Sequence, residues 1–403
     1  MKKTLSVILS IVMIMSMIAT LGIGASAADV VECNTWAKVK AAVEADATAS
    51  IKLTDHVTAN STIASFAGTF DGNGYTVTVE TTMFAEVTGT ATLKNFQTAA
   101  AAAITVAPIV NLLKGDATVV IENVVNNVDV AESTEQMGGI IAKTSGTVSL
   151  TMTSCVNNGD LQTVNQASGI VGNADGTLTV NFTDVVNNGN ITGNQNYAAG
   201  ILCTNGGVEG TMTRVVNNGD IVIESKKANN KGSNGAGIIG TAKGKAIVTL
   251  TECVNTGDVT LITENTSAHY GVSAFATRTD NESSVFTLSG CVSTGVMTSA
   301  SEGTTTDAIA LPAKKGAATA TNTSYVNGTT TVEGATKVEA DAAAAAIAAI
   351  EAQIELPVFD ANKAPEGGNT PEGGDTPAGD DTPVTGDSSV AALFVVVAVA
   401  AVA

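Results

Sequence analysis

The strongest constraint on this chain is a six-residue phrase that keeps returning. It reads Val125-Asn126-Asn127-Val128-Asp129-Val130, then Val156-Asn157-Asn158-Gly159-Asp160-Leu161, and recurs from Val186, Val216, Val254 and Val292. The intervals are 31, 30, 30, 38 and 38 residues. A period in that range marks stacked units, none of which can bury its apolar face alone. One apolar segment per unit begins Gly-Ile, as in Gly139-Ile140-Ile141-Ala142, Gly169-Ile170-Val171-Gly172 and Gly237-Ile238-Ile239-Gly240. A second alternates threonine with larger apolar residues, as in Val148 to Cys155, Leu178 to Val185 and Ile247 to Cys253. The third is the single apolar residue after the Asn-Asn-Gly-Asp turn, with its followers. Ile121, Met152, Phe182, Met212, Leu250 and Leu288 share one column, and Glu122, Thr153, Thr183, Thr213, Thr251 and Ser289 share the next. Alternation with period two indicates strands with one buried face. Short strands punctuated by Gly, Asn and Asp predict an all-β parallel β-helix. Helical repeats would need runs of Leu, Ala, Glu and Lys that these units lack. About eight coils from Phe70 to Val326, rising roughly 4.8 Å each, predict a body of roughly 40 Å.

The asparagines fix the register. Asn126, Asn157, Asn187, Asn217 and Asn255 are expected to lie above one another, with amides hydrogen-bonded along the axis as a structural ladder. The following residue is also Asn in four units, and a Gly comes next in all but the first. Such a pair suits a sharp corner, because Asn tolerates the left-handed backbone region and Gly enters it freely. With aromatics at only 3% of residues, the core must be built from small aliphatics. The cysteines fit that core. Cys155, Cys253 and Cys291 occupy the slot held elsewhere by Val124, Val185 and Val215, and Cys203 replaces the small residues Ala142, Gly172 and Gly240. We expect free, buried thiols.

At Phe70-Asp71-Gly72-Asn73-Gly74-Tyr75-Thr76-Val77, Met83-Phe84-Ala85-Glu86-Val87 and Ala91-Thr92-Leu93-Lys94-Asn95-Phe96, the chain resembles the opening coils of bacterial surface proteins with GLUG-type repeats. The later Gly-Gly-Ile and Cys-x-Asn-x-Gly phrases extend the resemblance over about residues 50–330. It implies a pectin-lyase-like, right-handed parallel β-helix, in a family whose members mostly have no assigned activity; the residue spacing adds short flanking helices.

The ends divide readily. Lys2 and Lys3, the apolar run from Leu5 to Ile23, and Ala25-Ser26-Ala27 read as a signal peptide, residues 1–27. In residues 28–50, Trp36, Val39 and Val43 form one stripe, suiting a helix that caps the first coil of the repeats at 51–335. Residues 336–357 form an Ala-rich helix with Ile347, Ile350 and Ile354 at helical spacing, either a second cap or a spacer. An acidic Pro/Gly linker (358–387) precedes a hydrophobic tail (388–403). Thr382-Pro383-Val384-Thr385-Gly386 resembles a Gram-positive sortase signal, Leu-Pro-x-Thr-Gly, with Thr382 in place of Leu. The resemblance implies cleavage after Thr385, with Pro383 and Gly386 completing the motif, and attachment to peptidoglycan by sortase. That family places a basic tail after its apolar run, and the sequence here is apolar from Val390 to Ala403. That run is shorter than the roughly 20 residues that span a bilayer.

Charge excludes one class of partner. The net charge is −19, and loss of Lys2 and Lys3 with the signal makes it −21, so nucleic acid is not expected. Asp129, Asp160, Asn190, Asp220 and Asp258 form a turn column where carboxylates on neighbouring coils could share Ca²⁺. With one carboxylate per turn, capping of backbone amides fits better, and no cofactor is expected. Polysaccharide lyases need a base and cations. Here Arg214 and Arg278 are the only arginines, and His56 and His269 the only histidines. Arg214 shares a column with Asn123, Ser154, Asp184 and Glu252, which predicts an ordinary exposed position. His269, Tyr270 and Arg278 fall where the period lengthens and read as loop residues. Lys226, Lys227 and Lys231 lie in an insertion and form a possible binding loop for an anionic glycan or host protein. The sequence therefore predicts a non-catalytic, extracellular cell-surface protein concerned with adhesion or binding. The alternative is a carbohydrate-active enzyme, a lyase or hydrolase, on the same scaffold.

Overall fold

A computed structural model describes residues 29–193, 197–225, 233–263, 271–277, 280–300, 305–311 and 316–366. The strands lie in four parallel sheets, one of 18 strands, one of nine and two of six. Each full coil runs from a long strand of the main sheet, such as Thr177–Asn187, through an asparagine corner into Ile191–Gly193 of the first six-stranded sheet. It continues through the second six-stranded sheet and the nine-stranded sheet before re-entering the main one. Strands on successive coils pair in parallel with like residues in register: Met152 with Phe182, Cys155 with Val185, Asn157 with Asn187. The protein is thus a parallel β-helix. Nine rungs of the main sheet lie between Thr69 and Tyr325, which makes eight coils as expected.

The alternation works as the pattern requires. Ile121, Met152, Phe182, Met212, Leu250 and Leu288 are fully buried. Each such side chain contributes about 1.5–3 kcal/mol by leaving water. Aromatic packing is concentrated in the first coils, where Phe70 meets Phe84 and Phe96 edge-on at 5.8 and 5.3 Å.

Two features of the coil depart from the expected three segments. The Gly-Ile phrase is a corner with a short strand on each side, Ala167–Ser168 before it and Val171–Ala174 after it. The long strand is bent at one position per rung by left-handed backbone, at Asn95, Asn123, Ser154, Asp184, Arg214 and Glu252, with φ between 49° and 57°. Arg214 was expected to be an ordinary exposed residue; it occupies this bend. The first coils are also smaller. In-register pairs Ile51–Phe70, Phe70–Leu93 and Leu93–Ile121 are 19, 23 and 28 residues apart. Those coils pass directly from the main sheet to the nine-stranded sheet. The two six-stranded sheets begin at Val130 and Met137, so the cross-section widens in a step.

The ends are closed by different devices. The helix Trp36–Ala45 starts at Thr35, whose side chain accepts from Lys38 N, and it buries Trp36, Val39 and Val43. Trp36 stands edge-on to Phe70 and Phe84 and donates to Ser61 O at 2.6 Å, so this helix is the expected lid. A strand ahead of it, Val30–Cys33, pairs with Ser50–Leu53 and adds one more rung. At the other end the cover is not the helix but the crossing segment 327–334. Val332 enters the core there, and Thr330 and Thr331 donate to the buried Asp307 carboxylate. The second helix, Ala340–Glu351, lies along the flank. Its Ala343 and Ile350 cover the outward valine column Val125, Val156, Val186, Val216, Val254 and Val292. Beyond it, the chain returns to the first coils. Tyr75 Oη donates to Ala364 O at 2.9 Å, and Lys52 pairs with Glu366 at 2.9 Å. His56 Nε2 lies 3.1 Å from Lys363 O, and Lys363 sits 4.1 Å above the Tyr75 ring. The start of the expected linker, residues 358–366, is therefore a strap held against the body.

Candidate functional site

The asparagine column forms the ladder that the repeat predicts. Asn126 Nδ2 donates to Asn157 Oδ1, Asn157 to Asn187 and Asn187 to Asn217, each at 2.8 Å, and Asn217 donates to Asn255 at 2.9 Å. All five are fully buried. Each amide also donates to the carbonyl two residues on, and Thr98 supplies the donor below Asn126. A second ladder runs outside it in the opposite sense. Asn158 donates back to Asn127, Asn188 to Asn158 and Asn218 to Asn188, at 2.8–2.9 Å. These columns hold coil to coil, and the inner amides use both their donors and their acceptor in doing so.

The turn column is occupied in the same way. Asp129 Oδ1 accepts from Asp160 N, Asp160 from Asn190 N, Asn190 from Asp220 N and Asp220 from Asp258 N, at 2.7–3.0 Å. Asp258 accepts from Val296 N at 2.7 Å. Each side chain thus caps the next coil's amide, a use that needs one oxygen and no cation. Among the described residues, no three His, Cys, Asp or Glu side chains group as a metal site.

At the bend, Arg214 makes a two-pronged pair with Asp184 of the preceding rung, at 2.6 and 3.2 Å. Asp184 is 6% exposed, so the guanidinium satisfies a nearly buried carboxylate, and donating to it raises the Arg214 pKa. The pair ties two successive rungs together at the bend. All five cysteines are free and buried, as expected, and burial pushes the Cys155 thiol up to about 12.

Lys226, Lys227, Lys231, His269, Tyr270 and Arg278 lie outside the described residues, as do Thr382, Pro383, Thr385 and Gly386 with the signal and tail segments. The strands around two insertions are described. Residues 226–232 interrupt a coil between Ile221–Ser225 and Asn234–Ala236, and residues 264–270 interrupt the next between Val259–Thr263 and Gly271–Ser273. Ser225 pairs with Thr263 and Asn234 with Gly271. Both segments therefore join the same two sheets, on adjacent rungs.

A cleft that the sequence reading missed lies where the cross-section widens. Its volume is about 290 Å³. Thr62, Thr81 and Thr82 come from the short links of the first coils, Asn111 from the nine-stranded sheet, and Glu135 from the loop before Met137. Ala85, Ala107 and Met137 supply an apolar lining. The Thr62 and Thr81 hydroxyls share a hydrogen bond at 3.3 Å, and Glu135 pairs with Lys143 at 3.2 Å. The Thr82 hydroxyl and the half-buried Asn111 amide open onto this space. No repeat column marks this place, because it exists where the coils change size.

Comparison with protein-family models, with curated proteins and with solved structures found no match. Among the described residues, no helix is long and apolar enough to cross a membrane.

Proposed function

We propose that this is a non-catalytic, extracellular binding protein held at the surface of a Gram-positive cell, with adhesion to a glycan or host protein as its task. The observation that carries the reading is that residues 226–232 and 264–270 both join the two six-stranded sheets, on adjacent rungs. Elements that protrude from a rigid repeat scaffold are where such proteins recognise partners. Lys226, Lys227 and Lys231 would put positive charge there on an otherwise acidic protein. The columns elsewhere are spent on coil-to-coil bonds, which suits a scaffold better than a catalyst. The signal-like start, the acidic segment after Glu366 and the motif at Thr382 to Gly386 support export and peptidoglycan attachment by sortase.

Immobilised glycans and matrix proteins should retain the secreted protein, and the triple change Lys226→Ser, Lys227→Ser, Lys231→Ser should reduce retention of anionic ligands. Release of unsaturated sugars from a panel of polysaccharides would instead establish the enzyme alternative. Thr385→Ala should move protein from the wall fraction to membrane or medium; an unchanged distribution would reject sorting.

A further inference from the structure

The strap that returns to the first coils rests on one of the chain's two histidines. His56 is half-buried in the link between strands Ser50–Leu53 and Val57–Ala59. Its two ring nitrogens do different jobs. Thr76 N donates to Nδ1 at 3.0 Å, and Nε2 lies 3.1 Å from Lys363 O of the strap. A backbone N–H can only donate and a carbonyl can only accept, so these two contacts together fix the state of the ring. Nδ1 keeps its lone pair and Nε2 carries the proton, which is one tautomer of the neutral imidazole.

The imidazolium does not fit this place. A proton on Nδ1 would point at the Thr76 N–H, donor against donor, and the ring would have to turn away. Both nitrogens belong to one rigid plane, so turning it also takes Nε2 from Lys363 O. The ring stands edge-on to Tyr75 at 5.3 Å, and Tyr75 donates to Ala364 O, so the movement reaches a second strap contact. Docking of the strap at Lys363 and protonation of His56 therefore oppose one another. By linkage, the hold that passes through this ring is present while the ring is neutral and is lost as pH falls.

The surrounding charges are of both signs. Asp55, whose carboxylate accepts from His56 N at 2.7 Å, and Glu366 of the strap favour a cation. Lys52 and Lys363 oppose one, and both pair with Glu366. Burial raises the Tyr75 phenol, which stays neutral. The arrangement of donors and acceptors, rather than a one-signed field, sets the preference.

We propose that His56 is a pH-sensitive catch for the strap, closed when the ring is neutral and open when it is protonated. Histidine suits such a catch, being the side-chain type that changes charge between pH 5 and 8. The hold at Glu366 is separate, since that carboxylate keeps its charge to much lower pH. The strap thus opens in two stages, at Lys363 first and at Glu366 only in stronger acid.

The test uses the full secreted chain and hydrogen exchange at Thr76 N and Lys363 N, corrected for intrinsic rates. Protection at both should fall about tenfold between pH 7.5 and 5.0, as the loss of one or two hydrogen bonds implies. In His56→Gln the amide offers an acceptor and a donor that do not titrate, so the fall should shrink below about twofold. Glu366→Gln should leave the fall in place. A fall that persists in His56→Gln, or one abolished by Glu366→Gln, assigns the effect to another group and overturns the catch. If His56→Gln does not fold, imidazole ¹⁵N NMR of the wild-type chain decides. The proton should sit on Nε2 at pH 7.5, and protection should fall in step with the ring's own titration. A proton on Nδ1 at pH 7.5, or protection unchanged as the ring titrates, overturns it equally.

Discussion

The interior asparagine ladder makes a sharp energetic prediction at Asn187. Its Nδ2 donates to Asn217 Oδ1 at 2.8 Å and Gly189 O at 2.9 Å, and its Oδ1 accepts from Asn157 at 2.8 Å. Asn187→Ala removes three hydrogen bonds in a fully buried position. It leaves Asn217 Oδ1, Gly189 O and one Asn157 proton without partners. Each neutral bond is worth about 1 kcal/mol net, and each stranded buried group costs about 1–3 kcal/mol. Allowing for relaxation, the loss should be about 3–5 kcal/mol, a large part of an ordinary domain's stability of about 5–15 kcal/mol. Its neighbour provides the control. Asn188 makes two ladder bonds at 2.9 Å, but outside, where water replaces them, so Asn188→Ala should cost about 0.5 kcal/mol or less. Urea unfolding followed by far-UV circular dichroism would compare the two. Stacked coils can open in parts, so hydrogen exchange should also be read at Asn218 N, which donates to Asn187 O at 2.8 Å. Equal midpoints for the two variants would refute the claim that burial, rather than the ladder pattern itself, sets the energy.

Three further outcomes are expected. A Cβ on Gly169 would lie 2.2 Å from both Asn187 Oδ1 and Gly200 O, so Gly169→Ala should cost about 3 kcal/mol in a urea melt, and a neutral result would show that the corner can move. Hydrogen bonds from Lys52 and then Asn73 lower the Glu366 carboxyl to about 2 from its ordinary 4.5. Its contribution to holding the strap is therefore complete above pH 4.5 and fades as pH falls toward 2, and an NMR titration midpoint near 4.5 would mean that the strap is not held there. Iodoacetamide at pH 8 should label no cysteine in the folded protein and all five in urea, because all five are buried and inaccessible; native labelling of Cys155, whose thiol burial also pushes up to about 12, or a disulfide would contradict this.

What the sequence revealed was whatever repeats. The register, the buried Met152–Phe182 column and the Asn157–Asn187 ladder follow from aligned columns, because stacking places like residues on like. Features that break the repeat stayed hidden. The bend column was misread at Arg214, although Asn95, Asn123 and Asp184 carried a usable signal, since Asn and Asp favour left-handed backbone. The cleft depends on coils of 19, 23 and 28 residues, too unequal to declare a period. The second helix pattern showed which face is apolar but not what it meets. Only the outward valines explain why it lies on the flank, and in the sequence those valines are no more than the first letter of the repeated phrase. The strap had no signal, for Pro357 to Glu366 reads like the polar segment that follows it.

The returning strap determines where a pull on the C-terminus would act. Tension applied beyond Glu366 would reach Lys52, Asn73 and Tyr75 before the last rung, whose closing segment ends far earlier in the chain at Gly334. Without that return, the same tug would begin at the final strand and peel coils away one at a time, each step breaking few bonds. With it, the load first meets a short set of sacrificial contacts and a flank helix. The weakest part of a stacked protein, its terminal coil, is shielded from traction by the route the chain takes home.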